Sequence, residues 1–223
     1  MERKIYGIFV AAGRGLRMGG SVPKQFLPLK GRPVLQRTIE AFLEAVPGIR
    51  VVTVLPKESI PFWDEECGRN NFECPQRVVA GGMTRFHSVR NALATVPDGA
   101  VVMIHDGVRP LVSASLIRRL LDAVEGGSRA AVPATKVTDT LRSTDPSVPA
   151  PDRSVLVAVQ TPQVFLSEDI KAAYEQAYDP AFTDDASVAS AKGIPVTLVE
   201  GDRYNLKITE PGDLAAAEAL SNR

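Results

Sequence analysis

The feature that most constrains the fold is an apolar run near the N-terminus that breaks directly into a glycine-rich loop. Residues 5–10 read Ile-Tyr-Gly-Ile-Phe-Val, and Ala11-Ala12-Gly13-Arg14-Gly15 follows at once. Such a run is typical of a strand that is buried on both faces, as at the centre of a parallel sheet. Small residues and consecutive free N–H groups let a loop of this kind bind an anion closely. We therefore predict a central parallel strand that carries a ligand-binding loop at its carboxyl end.

The rest of the chain alternates short apolar runs with helical patterns. Further strands are predicted at 51–55, 77–80, 100–104, 131–133 and 196–199, with helices at 33–46, 59–67, 84–96, 113–124, 167–177 and 184–191 and a terminal helix from about residue 211. Repeated βα units of this kind predict an α/β, Rossmann-like fold, in which helices flank a mostly parallel sheet. The length of 223 residues is compatible with a single domain that spans residues 1–223.

A polar, proline-rich segment interrupts this alternation between residues 137 and 159. Short strands are predicted at 137–141 and 155–159, and Pro146, Pro149 and Pro151 lie between them. A two-stranded ribbon is only marginally stable by itself in water, so it needs a surface to pack on. We interpret the segment as a small β-arm that forms a homodimer. The alternative is a mobile surface hairpin.

Composition and charge exclude several classes of partner. The chain has 26 basic and 26 acidic residues without a basic stripe or tract, which argues against nucleic acid and membrane surfaces. The apolar run after Arg3-Lys4 is too short for a signal peptide or a membrane span. Cys67 and Cys74 lack metal-site spacing and are predicted to be free thiols. We expect a cytoplasmic protein.

Polar side chains follow three of the predicted strands. They are Arg17 and Lys24 after the first strand, Gly82, Arg85 and Ser88 after the third, and Asp106 and Arg109 after the fourth. The carboxyl ends of parallel strands share one edge of a sheet, where α/β proteins bind ligands. A carboxylate among several cations suits a phosphate site with a divalent metal, and Asp106 is a suitable Mg²⁺ ligand. The alternatives are solvated basic side chains and a turn aspartate.

Several familiar chemistries are excluded. A dinucleotide fingerprint requires glycine where Met18 stands, and no Gly-Lys-Ser/Thr sequence of a P-loop occurs. The sequence has only two histidines, His87 and His105, and no nucleophile elbow, which argues against a hydrolase triad. We assign no proton transfer to His105. Phosphoryl-type transfer needs only positioning and fixed positive charge, which this sequence provides.

Nine short motifs in chain order resemble the 2-C-methyl-D-erythritol 4-phosphate cytidylyltransferase family of the pyrophosphorylase-like nucleotidyltransferases. They are Ala11-Ala12-Gly13-x-Gly15-x-Arg17-Met18, Pro23-Lys24-Gln25, Gly81-Gly82-x-x-Arg85, Ser88-Val89, His105-Asp106-x-x-Arg109-Pro110, Asp139-Thr140, Thr161-Pro162-Gln163, Thr183-Asp184 and Asn205-Leu206-Lys207. Together they cover essentially the whole chain, and their order makes the resemblance far more specific than any single motif.

The resemblance implies transfer of CMP from CTP to 2-C-methyl-D-erythritol 4-phosphate, with release of pyrophosphate and Mg²⁺ as the cofactor. It implies catalytic roles for Arg17, Lys24, Arg153 and Lys207. It implies nucleotide binding by Ala11, Ala12, Gly13, Gly15, Gly82, Arg85, Ser88 and Asp106, the last also as metal ligand. It implies acceptor binding by Asp106, Arg109, Thr140, Arg153, Thr183 and Lys207, with Thr140 and Arg153 supplied by the arm of a second subunit.

Alternative functions remain open at this point. A related cytidylyltransferase for ribitol or ribulose 5-phosphate shares the nucleotide half and differs in its acceptor pocket. A non-catalytic nucleotide-binding regulator has no need for Arg17, Lys24 and Asp106 together. Phe86 and His87 are expected to place aromatic bulk beside the base pocket, where they could shift nucleotide preference.

Overall fold

The computed structural model describes residues 3–13 and 22–221. The strands are β1 (Ile5–Val10), β2 (Pro28–Leu29), β3 (Arg32–Pro33), β4 (Arg50–Leu55), β5 (Gln76–Ala80), β6 (Val101–Asp106), β7 (Ala130–Lys136), β8 (Val157–Val159), β9 (Gln163–Leu166) and β10 (Val196–Glu200). The α-helices are α1 (Val34–Ala45), α2 (Ile60–Arg69), α3 (Arg85–Leu93), α4 (Ala114–Glu125), α5 (Ser167–Ala173), α6 (Asp185–Ala191) and α7 (Pro211–Leu220).

The main sheet has the strand order β10-β7-β9-β6-β1-β4-β5, and β8 pairs with β7 beside this path. β1 lies between β4 and β6 and is parallel to both, so the predicted central parallel strand is confirmed. β9 runs antiparallel to both β6 and β7 and joins the two parallel parts of the sheet. The sequence patterns did not predict β9, which is only four residues long.

Helices cover both faces of the sheet, and alternating residues of each strand face them. Phe9 of β1 packs with Phe42 of α1 and Leu120 of α4 on one face. Ile8, its neighbour in sequence, packs with Val89 of α3 and Ile170 of α5 on the other. The predicted mostly parallel α/β sheet between helical layers is therefore confirmed.

The arm differs from its predicted form. Residues 137–141 are not a strand; instead the end of β7 pairs with β8, and Lys136 lies opposite Val157. Three prolines lie between residues 142 and 153 and lack the N–H groups that a longer ladder needs.

Both cysteines are free thiols, as the sequence predicted. Within residues 3–13 and 22–221, none of the helices has the length and apolar character that crossing a bilayer requires.

A small third cluster ties the C-terminal segment to the carboxyl edge of the sheet. Ile208 packs with Leu29 and Val108, and its N–H donates to the carbonyl of Val108 at 2.9 Å. Lys24 Nζ donates to the carbonyl of Ile208 at 2.9 Å. These contacts hold residue 207, which precedes Ile208, beside the end of β6.

His105 fixes the end of β6 from inside the core. The side chain is fully buried, and its ring lies 4.8 Å from that of Phe42. Thr161 Oγ1 accepts from the N–H of Asp106 at 3.0 Å and lies 3.1 Å from His105 Nδ1, while His105 Nε2 lies 3.2 Å from the carbonyl of Arg109. A neutral ring that accepts at Nδ1 and donates at Nε2 satisfies all three contacts. This structural role agrees with the prediction that His105 transfers no proton.

We predict that His105 makes the folded protein sensitive to acid. Burial lowers the pKa of His105 from 6.5 to about 3, so between these values the unfolded chain binds a proton that the folded chain does not. Stability therefore falls as the pH drops through this window, by at most about 1.4 kcal/mol per pH unit from this residue. Replacement by glutamine (His105→Gln) removes that contribution.

Urea unfolding at pH 7, 5.5 and 4 provides the measurement. The difference in unfolding free energy between wild type and the glutamine variant should shrink as the pH falls. A difference that stays constant across the three pH values would contradict the assignment of a neutral buried ring.

Candidate active site

A large cavity opens at the carboxyl edge of the sheet, where the sequence predicted a shared crevice. Its volume is about 720 Å³. It is lined by residues that follow β1, β5 and β6, together with the C-terminal segment: Val10, Ala11, Ala12, Gly13, Lys24, Gln25, Gly82, Met83, Thr84, Arg85, Ser88, Asp106, Val108 and Lys207. Most of the predicted nucleotide-binding residues therefore surround one cavity.

A second cavity of about 490 Å³ adjoins the first. Arg85, Asp106 and Lys207 line both cavities, so these three side chains mark the junction between them. Two further residues predicted to bind an acceptor, Arg109 and Thr183, also line the second cavity. The arrangement offers two adjacent compartments with a charged boundary.

The loop after β1 borders the first cavity with very little side-chain volume. A Cβ added to Gly81 would lie 2.5 Å from the Cβ of Ala12, so glycine is required for the turn after β5 to approach this loop. Among the described residues, a Cβ on Gly13 would meet no atom within 4 Å. Gly15 and Arg17, which the sequence assigned to the same loop, lie outside the described residues.

Asp106 is the centre of charge at the junction. Lys207 Nζ and Arg109 Nε each lie 3.1 Å from its Oδ2, and Arg85 Nε lies 3.8 Å from its Oδ1. Burial by itself raises the pKa of this carboxyl group, but Arg85, Lys207 and Arg109 outweigh burial and hold the pKa well below its ordinary value. Asp106 is therefore ionised at neutral pH, and its Oδ1 is less tightly engaged than its Oδ2.

Each of the three cations is positioned by a different part of the fold. Arg85 begins α3, whose N-cap Thr84 accepts a hydrogen bond from the N–H of His87. Arg109 lies in the loop after β6, where its NH1 donates to the carbonyl of Asn205 at 2.8 Å. Lys207 belongs to the C-terminal segment. Two distant segments and the loop directly after Asp106 thus converge on one carboxylate.

Ser88 has a different immediate role from the predicted contact with a nucleotide. Its hydroxyl accepts from the N–H of Gly82 at 3.0 Å and donates to the carbonyl of Thr84 at 2.9 Å. Both bonds hold the turn after β5, so Ser88 shapes the wall of the cavity. Its placement on that wall agrees with the sequence prediction, although its hydroxyl proton is committed within the chain.

The sequence predicted that Phe86 and His87 would place aromatic bulk beside the base pocket, but neither is among the described lining residues of the cavity. Phe86 is buried on the other side of α3, where it stacks on Tyr174 with ring centroids 4.7 Å apart and packs against Phe182. Among the described lining residues, the large apolar side chain at the mouth is instead Met83, which is 91% exposed. The helical phase of α3 turns Phe86 into the core.

Sequence reasoning missed several residues that build the site from behind. Asp185 forms a bidentate ion pair with Arg85, and Tyr174 donates a hydrogen bond to the same carboxylate. Asn205 is buried, and its Nδ2 donates to the carbonyl of Thr161 at 2.8 Å. Asn205 and Thr161 belong to quoted motifs, but Arg85 and Asp185 are 100 positions apart, and no local pattern connects them.

Two predicted acceptor residues are outside both cavities. Thr140 and Arg153 are not among the lining residues of either cavity, and Arg153 NH1 donates to the carbonyl of Thr138 at 2.7 Å within the arm. The sequence assigned these two residues to the site of a second subunit. Within one described chain, they belong to the exposed arm.

The donor set fits a divalent cation that is held mainly by a substrate. The described residues contain no group of three or more histidine, cysteine, aspartate or glutamate side chains that could form a metal cage. Mg²⁺ commonly binds through one or two carboxylates together with substrate phosphates and waters. A single ionised carboxylate, Asp106, at the wall of a cavity of about 720 Å³ matches that mode.

Comparisons with known proteins identify the family of the chain. The family model described as 2-C-methyl-D-erythritol 4-phosphate cytidylyltransferase (IspD) matches residues 5–223. The enzyme of that name from Bacteroides fragilis is 49% identical over 215 residues, which cover 96% of this chain and 97% of the relative. The one from Porphyromonas gingivalis strain W83 is 49% identical over 223 residues, or 99% of each chain.

Solved structures give the same result. The crystal structure of 2-C-methyl-D-erythritol 4-phosphate cytidylyltransferase from Thermus thermophilus has a TM-score of 0.77 and 33% identity, with full coverage of both chains (100% each). That of 4-diphosphocytidyl-2C-methyl-D-erythritol synthase from Anaerococcus prevotii has a TM-score of 0.82 and 29% identity, covering 99% of this chain and 97% of that one. The chain is a member of the 2-C-methyl-D-erythritol 4-phosphate cytidylyltransferase family.

Proposed function

We propose that this protein transfers CMP from CTP to 2-C-methyl-D-erythritol 4-phosphate, which yields 4-diphosphocytidyl-2-C-methyl-D-erythritol and pyrophosphate. The observation that carries the proposal is the position of Asp106, Arg85 and Lys207, which line both of two adjoining cavities. A transfer between two phosphates needs two binding compartments that meet at a charged point. Membership of the family supplies the identity of the two substrates.

CTP is assigned to the larger cavity. Ala11, Ala12 and Gly13 leave room for a triphosphate to approach the backbone, and N–H groups of such loops bind phosphate oxygens. Lys24 lines the same cavity and supplies a fixed positive charge. Arg17 is assigned to the same phosphates from its motif. Gly82 and Ser88 also line this cavity, and the cytidine is assigned beside them.

The acceptor is assigned to the smaller cavity. Thr183 lines it together with the three cations Arg85, Arg109 and Lys207, and the carboxylates of Asp106 and Asp184 also line the space. A polyol phosphate carries hydroxyl groups and a dianionic head that match this combination. Lys207 Nζ lies at the boundary, 3.1 Å from Asp106, where a phosphate that attacks the nucleotide would have to lie.

The reaction needs no nucleophile from the protein. An oxygen of the acceptor phosphate forms a bond to the α-phosphorus of CTP, the bond from that phosphorus to the α–β bridging oxygen breaks, and pyrophosphate leaves with the electron pair. Lys24, Arg17 and Lys207 stabilise the negative charge that grows on the α-phosphate and the leaving group. Arg153, from the arm of a second subunit, is assigned to orient the acceptor phosphate.

Nucleotidyltransferases of this family generally use divalent cations, and we propose Mg²⁺ with Asp106 as its protein ligand. When bound, the ion neutralises phosphate charge and acts as a Lewis acid on the α-phosphate. Asp106 provides one hard oxygen ligand, and its Oδ1 is the less engaged of its two oxygens. The three surrounding cations keep this carboxylate ionised.

A homodimer formed by the arms is part of the proposal. Val148 and Val155 are 51% and 78% exposed and line neither cavity, so the arm presents apolar side chains that a partner surface could cover. Burial of these valines in a dimer would also explain how Thr140 and Arg153, which line neither cavity of their own chain, take part in a site. Location in the cytoplasm stays a prediction from the sequence.

The decisive assay measures pyrophosphate release with Mg²⁺ over a grid of nucleoside triphosphates and polyol phosphates. The expected result is release with CTP and 2-C-methyl-D-erythritol 4-phosphate, and little with ribitol or ribulose 5-phosphate. In the same assay, Lys24→Ala should lower kcat by about two to three orders of magnitude, because it removes a preorganised cation from the transition state.

A lysine remote from the cavities serves as the matched control. Lys192 is exposed after α6, and Lys192→Ala should retain wild-type kcat with the same change in net charge. Near-normal turnover of the Lys24 variant would remove Lys24 from the mechanism. Nucleotide binding without pyrophosphate release for any acceptor would favour the non-catalytic regulator.

Mixing of inactive variants tests the shared site. Lys24→Ala and Arg153→Ala should each be inactive as homodimers, but exchanged subunits should recover part of the activity, because one of the two sites in a heterodimer then has both residues intact. Activity and subunit exchange are measured on the same sample, with mass-distinguishable tags. Verified heterodimers that stay inactive would indicate that each site is built from one chain.

A further inference from the structure

Arg85 contacts two carboxylates at once. Its NH1 and NH2 donate to Oδ1 and Oδ2 of Asp185 at 2.8 and 2.6 Å. Its Nε lies 3.8 Å from Oδ1 of Asp106, which is outside hydrogen-bond distance. The guanidinium therefore forms a bidentate ion pair with Asp185 and a longer electrostatic contact with Asp106.

Asp185 is a buried carboxylate that accepts hydrogen bonds from Arg85 and Tyr174. Its side chain is fully buried at the first turn of α6, and the hydroxyl of Tyr174 donates to its Oδ1 at 2.5 Å. Tyr174 is 2% exposed and is held by its stack on Phe86. Asp185 is not among the described lining residues of either cavity. A buried carboxylate with three strong donors is a rigid partner, because the loss of any donor leaves charge unpaired.

The remaining coordination capacity at Asp106 is limited. Its Oδ2 already lies 3.1 Å from both Lys207 Nζ and Arg109 Nε. If Arg85 turned its NH groups to Asp106, Oδ1 would also be engaged in a charge-assisted pair. Asp106 is the other carboxylate already in contact with Arg85, so it is the natural alternative partner when Asp185 cannot pair.

We infer that Asp185, supported by Tyr174, is a positioning residue that holds Arg85 at the junction of the two cavities and keeps Oδ1 of Asp106 open to the divalent cation. The inference rests on the proposed function, since it concerns the cation that arrives with the nucleotide. Asp185 acts through Arg85 and touches neither substrate. When Asp185 is removed, Arg85 forms an ion pair with Oδ1 of Asp106 and blocks this oxygen from binding the cation.

Replacement of Asp185 by asparagine tests this role against a matched control. Asp169 forms a similar two-pronged pair with Arg129, which is half exposed, and neither residue lines either cavity. Calorimetry of CTP binding at a series of Mg²⁺ concentrations, without acceptor, gives the Mg²⁺ concentration for half-maximal nucleotide binding. Asp185→Asn should raise it about tenfold, the equivalent of one charge-assisted hydrogen bond. Tyr174→Phe should raise it about twofold, and Asp169→Asn should leave it unchanged.

A merely structural role for Asp185 predicts a different pattern. The asparagine variant would then lose thermal stability, while its folded fraction would bind CTP with the same Mg²⁺ dependence as Asp169→Asn, and the inference would be wrong. If Asp185→Asn does not fold, Tyr174→Phe decides, because it keeps the stack on Phe86 and removes one bond. A wild type that releases no pyrophosphate would refute the proposed function, whereas the Mg²⁺ dependence of binding still tests the positioning of Arg85.

Discussion

The interaction on which the site depends is the pairing of one buried carboxylate, Asp106, with three cations from separate segments. Burying a charged group costs free energy unless partners of opposite charge surround it, and three cations surround Asp106. Arg85 comes from the start of α3, Arg109 from the loop after β6 and Lys207 from the C-terminal segment. The same ionic contacts that join these segments also set the charge that a phosphate ligand meets. Folding and ligand binding therefore use one set of residues.

Much of the fold was predictable, because it follows from local periodicity. β1 has a buried-strand pattern and lies between two parallel neighbours, and the polar residues after β1, β5 and β6 meet at one edge as parallel topology requires. The failures concern pairing between distant short segments. β9 has four residues and pairs antiparallel with both β6 and β7, which no local pattern specifies. The first strand of the arm was wrongly predicted for a related reason, since β8 pairs antiparallel with the end of β7 and not with a new strand at 137–141.

The site was predictable to the extent that single side chains carry the chemistry. Asp106, Lys24, Arg109 and Lys207 line the cavities at the carboxyl edge of the sheet, while the roles that their motifs imply stay predictions. The supporting contacts were not predictable, because they depend on packing. The hydroxyl of Ser88 forms hydrogen bonds within the turn after β5. Phe86 is buried in the core because of the face of α3 on which it lies. Such roles are visible only once the helix has been placed against its neighbours.

The link between Lys24 and the carbonyl of Ile208 joins residues 184 positions apart. Chains emerge from the ribosome N-terminus first, and domains fold as units during or after synthesis. The sheet can begin to form early, yet the charged junction stays incomplete until residues 205–208 have left the exit tunnel. A nascent chain can thus bury much of its core before the wall of the larger cavity is complete.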